Sequence, residues 1–457
     1  MKNGQMQEPY LISLEEFMNK KVALHNLGCK VNAYEVEAMQ QLLEQAGYEI
    51  VPFEPGADIY LINTCTVTNI ADRKSRQMLH KAKKMNPDAI VVATGCYVQT
   101  DTGKLKEDLS VDLVLGNNQK KNIVQALEEY EKEHTRVEHI IKINQTKEYE
   151  ELSISYTAEH VRAYIKVQDG CNQFCTYCII PFARGRVRSR KISQVLEEVQ
   201  ALAARGYKEV VLTGIHLSSY GVDFPEGEKE TLLSLIQEVA KIDGIERIRL
   251  GSLEPGIVTE EFAKGIAEIP KVCPHFHLSL QSGCNSTLKL MNRRYNAEEY
   301  ADRCALLRKV YDNPALTTDV IVGFPQESEE NFEESYEFVK NIHFYETHIF
   351  KYSRRHGTKA AVMEGQITEA VKSVRSEKMI SMHEKHAEEY ETSMLGKTLE
   401  VLLEEEVEIQ GKPYYVGHSR EYVKVAVEKC EHYGVNDIVK VAADRFLESH
   451  LLTGTVE

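Results

Sequence analysis

Three cysteines, Cys171, Cys175 and Cys178 in CNQFCTYC, stand at C-x3-C-x2-C spacing directly after the strand-like run RAYIKVQD. Three thiolates so spaced can each hold one corner of a cubane [4Fe-4S] cluster and leave the fourth iron open. Zinc usually takes four closed ligands as paired C-x2-C knuckles, and an electron-transfer cluster takes a fourth cysteine. A three-cysteine set therefore suits a cluster that binds something else at its free iron; a zinc site or unconnected thiols are the alternatives.

A second set is spread through the first hundred residues. Cys29 follows VALHNL in LGCKVNAYE, Cys65 follows IYLINT in NTCTVTN, and Cys96 follows IVVATG in TGCY. Each sits at a strand-to-helix turn, and two are preceded by glycine. In a parallel sheet the C-terminal ends of neighbouring strands lie side by side, so these thiols can converge into another three-cysteine site. Cys273, Cys284, Cys304 and Cys430 lack such placement, and Cys304 falls on a helix stripe that reads as core. Ten cysteines in 457 residues are too sparse for a disulfide scaffold and read as thiols of a reducing compartment.

The net charge of -15 excludes a protein that coats nucleic acid indiscriminately. Affinity for RNA would have to come from local basic patches. One follows the CNQFCTYC loop directly in IIPFARGRVRSRK, where Arg184, Arg186, Arg188, Arg190 and Lys191 are the candidate RNA contacts; another is Arg354, Arg355 and Lys359 in YSRRHGTK. No run is long and uncharged enough to span a bilayer, and the start lacks a basic region followed by an apolar core. The expected location is the cytoplasm, with no membrane contact and no stable protein partner.

The elements that position these residues are α/β in class. From about Lys21 to Asn118, short apolar strands alternate with helices such as AYEVEAMQQLLEQAG, where Val36, Met39, Leu42 and Leu43 recur at helical spacing and Gly47 supplies the stop. That rhythm predicts a small parallel sheet. Residues 119–159 are charged and poorly periodic, read as a helix and a linker after a polar leader (1–20) and the first domain (21–118). A longer series follows at 160–392: strands YIKVQ, EVVLTG, RIRLGS, HFHLSLQ, TTDVIVGF and THIFKYS, with helices between them and a long charged helix after Thr368. Ser193 is the N-cap candidate of the first of these helices and Gly206 its stop. Six β/α units are too few for an eight-stranded barrel, so a partial (β/α)6 barrel with its chemistry at the strand C-termini is expected. The last segment, 393–457, alternates like short strands and predicts a small β-barrel.

This order of parts resembles the methylthiotransferase family of radical S-adenosylmethionine (SAM) enzymes, over essentially everything after the leader. The family's three separated N-terminal cysteines match Cys29, Cys65 and Cys96; its radical SAM cysteines match Cys171, Cys175 and Cys178; its P-x-x-R-G-x-x-R-S-R stretch matches Pro181 to Arg190. Within the family, LGCKVNAYE and NTCTVTNIADRKSRQ resemble the branch acting on N6-threonylcarbamoyladenosine of tRNA. The isopentenyladenosine branch typically has GCQMN and the ribosomal-protein branch GCPKN; these remain alternative substrates, and a non-catalytic metal- and RNA-binding protein is a further alternative.

The resemblance implies two [4Fe-4S] clusters and SAM as cofactors. One cluster would cleave SAM to a 5'-deoxyadenosyl radical, and the other would hold the sulfur. The substrate would be the adenosine at position 37, in the anticodon stem-loop, whose C2 carries an inert C–H bond that calls for radical chemistry. A reductant such as flavodoxin or ferredoxin would be the electron donor. SAM should dock at the strand ends of the partial barrel, where Thr213, Gly214, Ser252, Glu254, Gln281 and Asp319 are the polar candidates; His216 and His277 read as satisfied histidines. The C-terminal barrel would be a TRAM domain, a type associated with RNA. From Gly396 onward it carries seven lysines and arginines against twelve acids. Contact with RNA would then need Arg420, Lys424 and Lys440 on one face, or stacking on Tyr414, Tyr415 and Tyr422.

Overall fold

The computed structural model describes residues 20–457 except 102, 104, 106, 158–160 and 229, so the expected leader lies, but for Lys20, outside the described residues. The chain forms two compact units: one runs to Ile154 and includes Phe182–Gly185, the other comprises Ser155–Pro181 and Arg186–Glu457.

The first unit is built on β1 (Lys21–Asn26), β2 (Glu49–Val51), β3 (Ile59–Thr64), β4 (Ile90–Gly95), β5 (Leu113–Leu115) and β6 (Val137–His139). They form one parallel sheet in the order β2-β1-β3-β4-β5-β6. Its central strands β3, β4 and β5 are buried on both faces, as a helix-covered parallel sheet requires, and exposure rises toward β2 and β6 at the edges. Along β3, Ile59 and Leu61 join a core with Met39, Leu43 and Leu127, while Tyr60 and Ile62 join the opposite core with Leu79 and Ala82. The sheet does not stop at the boundary expected at 118. After the helix Ile123–Glu133 the chain adds β6, a strand of three residues too short to carry a readable period.

The second unit begins with β7 (Ala163–Asp169), a two-residue antiparallel β8 (Arg188–Ser189), β9 (Glu209–Gly214) and β10 (Arg247–Leu250), ordered β10-β9-β7-β8. A second sheet holds β11 (His275–His277), β12 (Ala315–Val322) and β13 (Glu346–Lys351), all parallel. Parallel bridges Ile248↔Val272 and Leu253↔Leu278 join the two halves, giving six parallel strands of an open barrel. The helix Ile192–Ala204 buries Val195, Val199 and Leu202; its N-cap is Lys191 rather than Ser193, while Gly206 follows its end at φ +90. The long helix Glu369–Thr392 is capped by Thr368.

The chain ends in a closed barrel of β14 (Thr398–Ile409), β15 (Lys412–Ser419), β16 (Lys424–Glu428), β17 (Ile438–Glu448) and β18 (Leu451–Val456). It is fastened to β10. Arg247 donates to Glu400 and to the His418 carbonyl, and Arg249 donates to the carbonyls of Ser419 and Arg420. Tyr422 stacks on His275 at 4.6 Å and on His418 at 4.5 Å. The tyrosines expected to stack on RNA are thus spent internally, because Tyr414 and Tyr415 are buried as well. Arg420 binds the Pro270 and Val272 carbonyls, which leaves Lys424 and Lys440 exposed.

Candidate active site

In the first unit Cys29 stands just before the helix Lys30–Gln45, Cys65 just after β3, and Cys96 at the start of the short helix Cys96–Thr100. Parallel pairing brings these ends together, and each of the three thiols lies in the electrostatic field of another. The glycines before two of them are required by close approach. Gly95 has φ +98, and a Cβ there would lie 2.4 Å from Asn63 Oδ1; Gly28 has φ +119, and a Cβ there would lie 3.2 Å from Cys65 Sγ. Asn32 ties two of the turns by donating to the Leu27 and Thr64 carbonyls, and Ser75 bonds both backbone groups of Cys65.

A buried charge network backs this set. Arg184 is fully buried and spreads its fork over Glu35 (2.6 and 3.0 Å), Asn32 Oδ1 (2.6 Å) and Cys96 Sγ (3.2 Å). Lys120 lies 3.1 Å from Glu35 and donates to Asn117, whose amide reaches Cys96 Sγ at 3.7 Å. Both cations, Arg184 and Lys120, thus meet the Glu35 carboxylate directly beside the sulfur.

In the second unit the loop after β7 folds around Cys171, Cys175 and Cys178. Gln173 N–H reaches Cys171 Sγ at 3.4 Å, and Thr176 is held by the Met291 and Leu290 carbonyls. Phe174 takes φ +52, and Asn292 donates to its carbonyl at 3.2 Å. Arg293 donates to Cys175 Sγ at 3.2 Å and to Tyr295, with Glu254 3.9 Å away. Each cysteine set therefore has one buried guanidinium on one of its sulfurs. Glu35, Asn117, Lys120 and Arg293 were not singled out from sequence, since nothing in their own neighbourhoods marks them.

Two known families match this chain: the uncharacterized protein family UPF0004 over residues 21–116 and the radical SAM superfamily over 165–339. It is 42% identical to the threonylcarbamoyladenosine tRNA methylthiotransferase MtaB of Bacillus subtilis, over 92% of this chain and 93% of that protein. The protein of the same name from Aquifex aeolicus is 44% identical over 84% of this chain and 93% of its own length. The chain belongs to the methylthiotransferase family of radical SAM enzymes. A tRNA-2-methylthio-N(6)-dimethylallyladenosine synthase of Thermoanaerobacter pseudethanolicus is 37% identical over 85% of this chain and 84% of its own. Among solved structures, the radical SAM methyltransferase TsrM of Kitasatospora setae shares the fold, with TM-score 0.57 at 16% identity over 76% of this chain and 77% of that one.

As a methylthiotransferase the enzyme uses SAM and an iron–sulfur cluster, and its thiols fit that chemistry. Among the described residues, the metal-ligating groups whose donor atoms all lie within 4.8 Å of one another are His277, Asp319, His348 and His343, His386, Glu389. Neither cysteine set is one of them. A single zinc ion held at about 2.3 Å would bring its sulfurs to about 3.8 Å from one another, whereas a cubane places each thiolate on a separate corner iron. Burial pushes the thiols of Cys65 and Cys171 up to about 11 and that of Cys178 up to about 12. Such thiols stay protonated in neutral water unless a metal takes the proton's place.

The basic stretch is corrected by the structure. Arg184 and Arg188 are fully buried and Arg190 nearly so. Arg188 lies 3.6 Å from Asp169, Arg190 pairs with Glu198, and Lys191 pairs with Glu228. Arg186 alone of the four arginines is exposed, lying 4.5 Å over the Phe174 ring. Arg184 ends the helix Ile180–Arg184 and Gly185 follows at φ +73, so the alternation does not run through one extended segment; Arg188 and Arg190, two residues apart around β8, are buried while Arg186 is exposed.

The residues expected to meet SAM differ in their surroundings, and two of them are neighbours, since Gln281 N–H donates to the Asp319 carbonyl at 2.8 Å. Glu254 reaches the cluster loop, accepting from Gln173 at 3.3 Å with His216 3.7 Å away. Burial, reinforced by Arg293 and Arg294, lowers the His216 imidazole to about 4, so it is neutral at physiological pH. Thr213 is buried, Ser252 is exposed, Gly214 leaves room for Gln168, and Gln281 takes φ +71. Asp319 lies within β12 rather than at its end, beside His277 and His348.

Proposed function

We propose that this enzyme methylthiolates C2 of N6-threonylcarbamoyladenosine next to the anticodon of tRNA. The observation that carries the substrate is similarity along nearly the whole chain to methylthiotransferases of that name, joined to a full complement of six turn-borne cysteines. Cys171, Cys175 and Cys178 would hold the cluster that engages SAM, and Cys29, Cys65 and Cys96 a second one. With the clusters bound, one-electron chemistry on SAM and a sulfur carrier are available, which an inert aromatic C–H bond requires. The chain's own part is to hold and orient. Arg184 and Arg293 fix one sulfur of each set and offset its negative charge. Glu254, Thr213, Gly214, Ser252 and Gln281 are proposed around SAM.

No helix among the described residues is long and apolar enough to cross a membrane. We place the enzyme in the cytoplasm, with tRNA as partner and a flavodoxin or ferredoxin as reductant. Arg186, Lys424 and Lys440 are the proposed phosphate contacts.

The test is nucleoside mass analysis of tRNA from cells lacking the gene. Loss of the 2-methylthio derivative of threonylcarbamoyladenosine, restored by the wild-type gene, is expected. Similarity to the dimethylallyladenosine synthases supports a second reading, and loss of that methylthio nucleoside instead would overturn the first.

A further inference from the structure

His277, Asp319 and His348 come from three adjacent strands of the second unit. The parallel register pairs His277 with Thr317 and Asp319 with His348. Thr318, between them, turns its hydroxyl the other way, to the Leu278 carbonyl and Tyr300. His277 and Asp319 therefore share the opposite face of the sheet from Thr318. Donor atoms of all three residues lie within 4.8 Å of one another, and the two imidazoles are 5.7 Å apart, nearly parallel at 22°.

The His277 ring shows what this group wants. Nδ1 shares a hydrogen bond of 3.0 Å with Thr317 Oγ1. Nε2 is buried and lies 3.2 Å from Asp319 Oδ2, yet makes no hydrogen bond, so an in-plane N–H there would not point at the carboxylate. With the proton on Nδ1, given to Thr317, two lone-pair donors face a common space without a proton between them. A metal held at about 2.0–2.2 Å by nitrogen and oxygen places neighbouring ligands about 3.0–3.5 Å apart, which brackets this pair. The Thr317 hydroxyl is then the outer partner that fixes the ligating tautomer.

We propose that His277, Asp319 and His348 form a divalent cation site, distinct from both cysteine sets. Two imidazoles and one carboxylate suit a first-row ion of the zinc or iron(II) class. Three protein ligands leave at least one coordination position open to an oxygen ligand. The site stands independently of which nucleoside is the substrate.

The test is zinc uptake by the anaerobically reconstituted full-length enzyme, read by equilibrium dialysis with iron measured in the same sample. A His343→Ala background removes the other His-His-carboxylate group, His343, His386 and Glu389. There the enzyme should take one zinc per chain at micromolar free zinc. His277→Ala, His348→Ala and Asp319→Asn should each weaken uptake at least tenfold while iron per chain stays constant. The proposal is overturned if the background takes no zinc, if all three variants bind it equally well, or if zinc falls only together with iron. Asp319→Asn keeps shape and polarity, so it carries the test should a histidine variant fail to fold by circular dichroism.

Discussion

Replacing Arg184 by Ala separates a buried structural charge from a phosphate contact. In the wild type its guanidinium makes two bonds to Glu35, one to Asn32 and one to Cys96, with no solvent exposure. Removing one partner of such a pair costs about 3–5 kcal/mol, because the other charge stays buried. Lys120 remains 3.1 Å from Glu35 and offsets part of that charge, which sets the expectation at the lower end, about 3 kcal/mol. For a unit of this size that lowers the thermal midpoint by roughly 6–12 °C. A buried pair is poorly screened, so the loss should persist in 1 M salt, where the Debye length is about 3 Å. Glu35→Gln should also destabilise, since it strands two cations. Thermal unfolding of the full chain at low and high salt, with iron per chain after reconstitution, measures both consequences. An unchanged midpoint and iron content, together with a flatter salt dependence of tRNA binding, would refute the buried network and make Arg184 a phosphate contact after all.

Arg186→Ala should weaken tRNA binding and reduce the log–log salt slope by about one unit, leaving stability unchanged, whereas Arg188→Ala should lower the thermal midpoint; gel shifts at several salt concentrations decide. The triple Cys29, Cys65, Cys96 to Ala variant should still release 5'-deoxyadenosine from SAM under reduction but form no methylthiolated nucleoside, both read by mass spectrometry. Reconstituted enzyme should carry about eight irons per chain with matching sulfide, and that variant about four. Burial pushes the Glu209 carboxyl up, but the charges of Arg249, Arg162 and Arg247 outweigh it and hold it at about 2. Its folded value lies below its unfolded one, so its stabilisation is present above about pH 4.5 and is lost as pH falls toward 2. Glu209→Gln should therefore cost roughly 3 kcal/mol at pH 7, with the gap from wild type narrowing below pH 4.5 in thermal unfolding of metal-free protein.

What the sequence determined by itself was local or periodic. Cys171, Cys175 and Cys178 declare a ligand loop because their spacing lies within one turn of chain. Cys29, Cys65 and Cys96 could be grouped because a parallel sheet has only one place for three strand-end turns. Gly95 and Gly28 marked two of those turns, since only glycine tolerates the backbone and the close neighbours found there. The open barrel followed from counting six β/α units. Tertiary structure decided whatever depended on partners far along the chain. Arg184 finds Glu35 across 149 residues, and nothing near either residue announces the pair. Whether a basic run faces water or core is set by the surface it lies against. The same holds for Tyr422, which reads as a stacking residue and is used up on His275 and His418. His277, Asp319 and His348 lie in three separate segments, and only the register of β11, β12 and β13 puts their donor atoms on one face, because strand pairing is a long-range choice that composition does not encode.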